Sequence, residues 1–361
     1  MFVSGLLCAS TVCAQEQETE SAPARALDSR GLRALYLDLV ARPPFAQERE
    51  AWLGRGFEEL VEELLGSPEY WNNWHEDQLY YFLLVDNFRP TSERVLASPV
   101  DLERGRIGVR EALHRIATCA SFDRRNPGPD TFVTVVMEQL LGATVQKRVR
   151  DLDIGKRVYD GHAGNFLGRK GESQADVVRI AVEDREALRH FLAREYRRLL
   201  RDEPGKRELA RWVRALEGDE LAYPDLVADW MVSDAYRARL ESFEELSNRS
   251  SVRALFVDLT DRLPEEDEAR RMRNALDGLA DTGPLRSVLA RLLIDSGTTD
   301  VPARAQVEDP TRWIQGLFQR LLGRSASAAE LEAFVLAFRD PACRPETVVY
   351  AIVSHPEYPT W

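Results

Sequence analysis

An all-α fold made of divergent three-helix units, interrupted by a helical insert, is what this sequence predicts. Three observations carry that expectation. First, one amphipathic pattern recurs: Leu32, Leu35, Tyr36 and Leu39 precede Arg42; Val252, Leu255, Phe256 and Leu259 precede Arg262; Ile314, Leu317, Phe318 and Leu321 precede Arg324. A looser copy has Leu192, Tyr196 and Leu199 before Asp202. Apolar residues at i, i+3, i+4 and i+7 line one face of a helix. Second, a helix-start residue follows each copy: Pro44, Pro204, Pro264 or Ser327. Third, Val133 to Val136 is the one β-branched run of note, too short to found a sheet.

Taken in order, each unit opens with that amphipathic helix. A second helix is expected after the proline or serine, because proline suits a first helical turn and Ser327 with Glu330 makes a capping box. A third helix closes the unit, with Leu60, Val61, Leu64 and Leu65 before Ser67 and Leu226, Val227, Trp230 and Met231 before Ser233. Leu289, Leu293 and Ile294 precede Ser296, and Val348 and Ile352 precede Ser354. Tyr70, Tyr236 and Tyr358 follow three of these serines and are read as packing staples. Three short helices cannot bury their faces alone, so the units are expected to pack on each other.

The expected organisation is a signal peptide over 1–14, a flexible leader over 15–30, a helical domain over 31–185 and a tandem of three units over 186–361. The first fourteen residues are uncharged, and Val12-Cys13-Ala14 resembles an export cleavage pattern, although no Lys or Arg precedes the apolar run. Export to the periplasm or cell surface is the expectation. No later stretch reaches the ~18 apolar residues of a transmembrane helix. Within the insert, Trp71, Trp74, Tyr80, Tyr81 and Phe82 mark an aromatic helix, and 159–172 is a glycine-rich loop.

Hydrophobic content of 44% suffices for a core, and a net charge of −12 argues against a general nucleic-acid binder. Of four cysteines, only Cys119 and Cys343 lie beyond the leader; buried free thiols are expected, and no C-x-x-C-H is present to attach haem. There is no G-x-S-x-G elbow and no set of metal ligands at workable spacing, so no catalytic residues, metal or cofactor are assigned.

Arg33-Ala-Leu-Tyr-Leu-Asp-Leu-Val-Ala-Arg-Pro-Pro, followed by Leu60 to Trp71 and Trp74, resembles an uncharacterised domain of exported bacterial proteins that accompanies cytochrome-c modules in planctomycete-type bacteria. The match covers about residues 30–85. Later units, such as Leu317 to Arg324 with Ser354 to Tyr358, resemble a domain of unknown function from bacterial surface and secreted proteins. The first resemblance implies partnership with a cytochrome-containing redox complex; neither implies an agreed activity.

The glycine-rich loop is the candidate site. Gly168, Arg169, Lys170, Gly171 and Ser173 combine approachable backbone N–H groups, two cations and a helix start, a chemistry suited to anions. Asp160, His162 and Asn165 form a possible polar site in the same loop. Two functions follow as expectations: an interaction or scaffold module for a protein or cell-surface polymer, and alternatively an enzyme or accessory protein gripping anionic polysaccharide through Arg169 and Lys170.

Overall fold

The computed structural model describes residues 26–84 and 88–360. The 1–14 signal and most of the 15–30 leader lie outside the described residues. The leader's end is structured: Ala26 bridges Gly56, Leu27 is buried, and Asp28 caps a helix that starts at Ser29.

The fold is all-α. Twenty-one α-helices, short π- and 3₁₀-helical stretches and a single two-stranded hairpin account for the described regular structure. Three helices occur in order at each of the four places where the pattern recurs: Ser29–Val40, Ala46–Trp52 and Phe57–Leu65; Arg185–Leu200, Lys206–Glu217 and Tyr223–Met231; Asn248–Thr260, Glu266–Asp277 and Gly283–Asp295; Pro310–Leu322, Ala328–Arg339 and Pro345–Val353. The aligned apolar residues face inward, with Leu35, Leu39, Leu192, Leu199, Phe256 and Ile314 all essentially inaccessible.

Two details of the helix starts depart from expectation. Ser327 does cap its helix, its Oγ accepting from the Glu330 amide while Glu330 accepts from the Ser327 amide. The prolines, however, do not occupy first turns. Pro44, Pro204 and Pro264 each sit one residue before the cap, since the caps are Phe45, Gly205 and Glu265. There the fixed φ of proline sets the chain's approach to the helix instead of its first turn.

The turns between first and second helices share a left-handed residue at all four places and an arginine–glutamate clamp at three. Each first helix ends on a left-handed residue: Ala41 (φ 56°), Arg201 (φ 56°), Asp261 (φ 50°) and Gly323 (φ 64°). The arginine that follows folds back onto a glutamate six positions on. Arg42 grips Glu48, Arg262 grips Glu268 and Arg324 grips Glu330, and each glutamate also accepts from a backbone N–H at the next helix start. Arg42 and Arg324 reach a second carboxylate, Glu69 and Glu357 at 2.6 Å, from the Pro-Glu-Tyr segments that close their own units. At the looser copy the arginine is Asp202, facing Glu208 six positions on, and no such clamp forms.

The buried hydrophobic residues fall into two clusters, Leu27 to Leu240 and Val252 to Tyr358. The packing therefore groups the copy at 192 with the first copy and the insert, while the copies at 252 and 314 share the second core. Within each core a closing tyrosine reaches across to a first helix. Tyr236 donates to Asp38 at 2.7 Å, and Tyr358 donates to Asp258 at 2.8 Å. Asp38 and Asp258 hold the same position in their helices, and each also takes an arginine, Arg239 and Arg33. Arg33 belongs to the first core and Asp258 to the second, so this pair, 2% and 3% exposed, pins the two cores together.

The insert wraps the aromatic helix Pro68–Leu83. Trp71 and Trp74 pack edge-on at 6.0 Å, and Trp74 meets Phe191 at 6.1 Å. Such pairs contribute about 0.5–1.5 kcal/mol beyond area burial. Cys119 is buried and Cys343 half-buried; neither is in a disulfide. Gly142, at φ +61°, closes the turn after a π-helical stretch at Val136–Leu140. A Cβ there would sit on top of the His190 ring. Gly142→Ala is expected to cost about 2–4 kcal/mol, strain and overpacking together, read as a lower urea midpoint. A loss under 0.5 kcal/mol, on the order of a surface change, would contradict that packing.

Candidate functional site

The glycine-rich segment is not an open loop. Gly164–Phe166 and Arg169–Gly171 pair antiparallel, with Asn165 opposite Lys170 and Phe166 opposite Arg169. Leu167 (φ 49°) and Gly168 (φ 81°) make the two-residue turn, both left-handed as a type I′ hairpin requires. This corrects the expected glycine-rich loop. Phe166 is fully buried under the hairpin, against the helix carrying Gly155. Phe166 and Gly171 are the buried ends of two three-residue strands, too short a run to show an alternating pattern in the sequence.

The sequence-predicted anion site is thus spread over one hairpin and one cap. Arg169 donates to Glu183 at 2.5 Å, and Ser173 Oγ caps the following helix by accepting from the Asp176 amide. Arg179 and two further donors hold the Asp176 carboxyl well down, at about 2. Lys170 is exposed on the hairpin. Asp160 ends the Val149–Tyr159 helix, the His162 amide donates to Arg157 O at 2.9 Å, and Asp160, His162 and Asn165 all face solvent. None of these residues lines the 1060, 790 or 240 Å³ cavities. Among the described residues, no group of three or more His, Cys, Asp or Glu could hold a metal ion.

A larger cavity lies elsewhere. A cleft of about 1060 Å³ opens between the end of the Phe57–Leu65 helix, the 102–110 turn and the Tyr223–Met231 helix with the loop before it. Its floor is the aromatic heart of the first core: Trp71, Leu65, Leu102, Val109, Leu188 and Tyr223. Tyr223 stands on the first turn of its helix, where Pro224 fixes the start, and its ring meets Phe191 at 5.3 Å. Its hydroxyl turns away from the cleft and donates to Glu195 at 3.1 Å.

Glu195 anchors the cleft from behind. It is 1% exposed. Burial alone would raise its carboxyl, but Arg198 and Arg194 outweigh that and hold it below the usual range. Gln78 donates to its second oxygen at 3.2 Å. This satisfied network fixes the floor; it offers no group to solvent and no acid–base pair to a ligand.

The rim is acidic. Glu62, Glu103, Glu217, Asp219, Asp225 and Asp229 line the cleft against a single cation, Arg110. Arg110 Nη2 donates to Glu217 at 3.2 Å, and Arg185 also binds Glu217. Those contacts, Arg185 foremost, depress the Glu217 carboxyl. The other five carboxylates have no ion pair among the described residues, so the mouth carries an unopposed negative field over an apolar floor.

Sequence reasoning did not find this cleft. Its walls come from segments spread over more than 160 positions, and no local pattern brings Glu62, Glu103 and Asp225 together. The signal available was composition: the Gly218 to Asp225 stretch, running from the end of one helix into the first turn of the next, holds three acids and no base.

No family model, no curated protein and no solved structure matches this chain. Among the described residues no helix is long and apolar enough to cross a membrane.

Proposed function

We propose that this chain is an exported helical interaction module whose cleft docks a basic amphipathic segment of a partner protein. The single observation that carries this is the pairing, in one 1060 Å³ groove, of an apolar aromatic floor with five unpaired carboxylates. A segment with an apolar face and Lys or Arg along its edges satisfies both, the helix-in-groove mode of recognition. Electrostatic steering by the rim would speed encounter and make it salt-dependent. Export rests on the leader sequence, and a cytochrome-containing partner rests on the resemblance of residues 30–85. The polysaccharide alternative would lean on Lys170, since Arg169 is shared with Glu183.

The test is a fluorescently labelled Lys/Leu amphipathic helical peptide titrated with the protein. Replacing Asp219, Asp225 and Asp229 together by Lys is expected to weaken binding at least about tenfold, equivalent to about 1.4 kcal/mol, and to flatten the salt dependence. A control with Glu93, Glu241 and Glu332 changed to Lys carries the same net charge and should bind as the unaltered protein does. If both triple variants lose affinity equally, the attraction is a property of overall charge and the cleft is not the docking site.

A further inference from the structure

A second site lies on the other side of the aromatic helix, at the seam between the two cores. Arg89, Arg249, Arg253, Arg270 and Arg273 converge on a pocket of about 240 Å³ whose lining, among the described residues, includes two carboxylates, Glu76 and Glu266. Arg249 and Arg253 are one turn apart on the Asn248–Thr260 helix, so their guanidinium groups enter side by side. Several of the five are engaged sideways: Arg89 with Glu76 and Glu266, Arg249 with Asp77, Arg270 with Asp267. Two donors are left over. Arg249 Nη2 is buried with no hydrogen-bond partner. Among the described residues Arg253 touches no carboxylate within ion-pair distance and makes one hydrogen bond, a long 3.4 Å contact from Nη1 to Val40 O.

Such an arrangement is costly as it stands. Burial and then the neighbouring Arg249 pull the Arg253 guanidinium down to about 10, despite Glu76, Asp77 and Glu69 nearby. A guanidinium is a planar fork that matches phosphate and carboxylate oxygens two at a time, and burying one without a full partner is unfavourable. A fold that gathers these cations and leaves two forks incompletely used is complementary to a small multivalent oxyanion.

We propose that the pocket at the core seam binds a phosphate group, held by Arg253 and by Arg249, whose unpartnered Nη2 turns outward to meet it. The volume admits inorganic phosphate or a small phosphate monoester, with Leu263 and Pro264 available to the ester's carbon body. Because Arg249 and Arg253 belong to the second core's first helix and Glu76 to the first core's aromatic helix, the ligand would also strengthen the seam. This inference does not depend on the acidic cleft, with which the pocket shares no lining residue.

The experiment is calorimetric titration and thermal unfolding of the full chain with inorganic phosphate, with glycerol 1-phosphate as a second arm and sodium chloride at matched ionic strength as reference. Phosphate at about 100 times its Kd should raise Tm by roughly 4 °C beyond chloride. Tighter binding of the ester than of inorganic phosphate would identify a monoester as the ligand. Arg253→Gln should weaken phosphate binding more than about tenfold and erase the phosphate-specific Tm shift, yet leave Tm in chloride unchanged or higher, because it removes a half-buried charge that sits beside Arg249 with no carboxylate at ion-pair distance among the described residues. Arg253→Lys should retain part of the affinity, and Arg249→Gln provides a second variant should Arg253→Gln not fold. A phosphate shift no larger than that of chloride overturns the site, as does affinity within about twofold of the unaltered protein in both glutamine variants.

Discussion

Arg33→Ala lowers the stability of the fold by about 3–5 kcal/mol, the largest loss expected from any single truncation outside the apolar core. Arg33 donates to both Asp258 oxygens, at 2.8 and 2.7 Å, and to Arg320 O at 3.3 Å, with 2% of its surface exposed. Truncation strands the Asp258 carboxylate in a dry seam, with Tyr358 as its remaining partner. The cost is the desolvation of that orphaned charge, so removing both charges together should be far milder. Arg33→Met with Asp258→Leu and Tyr358→Phe replaces the triad by apolar groups of similar size, and Phe avoids leaving a hydroxyl without its acceptor. Urea unfolding followed by tryptophan fluorescence should show the triple variant recovering at least about half of the loss. The single variant should also broaden the transition, since the pair is the most buried of the ion pairs joining the core holding Trp71, Trp74, Trp212 and Trp230 to the core beneath Phe318. A single-variant loss under 1 kcal/mol, about that of a surface pair, would show that the seam is wet.

How much of this was legible in the sequence depends on the range over which the cause acts. Helix identity was legible because burial acts at helical spacing: Leu32, Leu35, Tyr36 and Leu39 predict a buried face, and all are at most 2% exposed. The Ser327–Glu330 box was legible for the same reason, being closed within one turn. The Arg42–Glu48 clamp was not, because six positions apart is no helical neighbourhood. It closes only when a left-handed Ala41 reverses the chain, and of the four residues in that role only Gly323 announces itself. The tyrosine staples were read correctly as packing, but their hydroxyls were not. Asp38 and Asp258 look like exposed polar positions on amphipathic helices until another unit's tyrosine is laid beside them. The candidate sites were the least legible. Glycine and cation content pointed at Gly168, Arg169 and Lys170, which form a hairpin tip, whereas the cleft and the arginine pocket are assembled by tertiary contacts among residues unremarkable one at a time.

Acid is the other large lever. His75 and His190 are both held neutral, their pKa values pulled down to about 4. For His75 the cause is burial, opposed by Glu76, and its Nε2 has no hydrogen-bond partner among the described residues. For His190 burial acts first, and Arg194 and Arg197 add repulsion; its Nε2 lies 3.3 Å from the Tyr81 hydroxyl. An unfolded chain binds a proton at each near pH 6.5, while the folded chain does not until about pH 4. The stability attributable to neutral histidine is therefore complete above about pH 6.5 and is lost as pH falls toward 4, by about 2–3 kcal/mol for each group. Carboxylates held low, such as Glu330 at about 2 under Arg324, add their own loss only below the ordinary glutamate range near 4.5. Urea midpoints measured at half-unit steps from pH 7.5 to 4 should accordingly fall before any carboxylate titrates, with a slope approaching about 2.7 kcal/mol per pH unit for two protons. His190→Asn should remove close to half of that slope, because asparagine cannot take up the proton that the unfolded chain otherwise gains. A flat profile down to pH 5 in the unaltered protein would mean that both imidazoles reach water in the folded state.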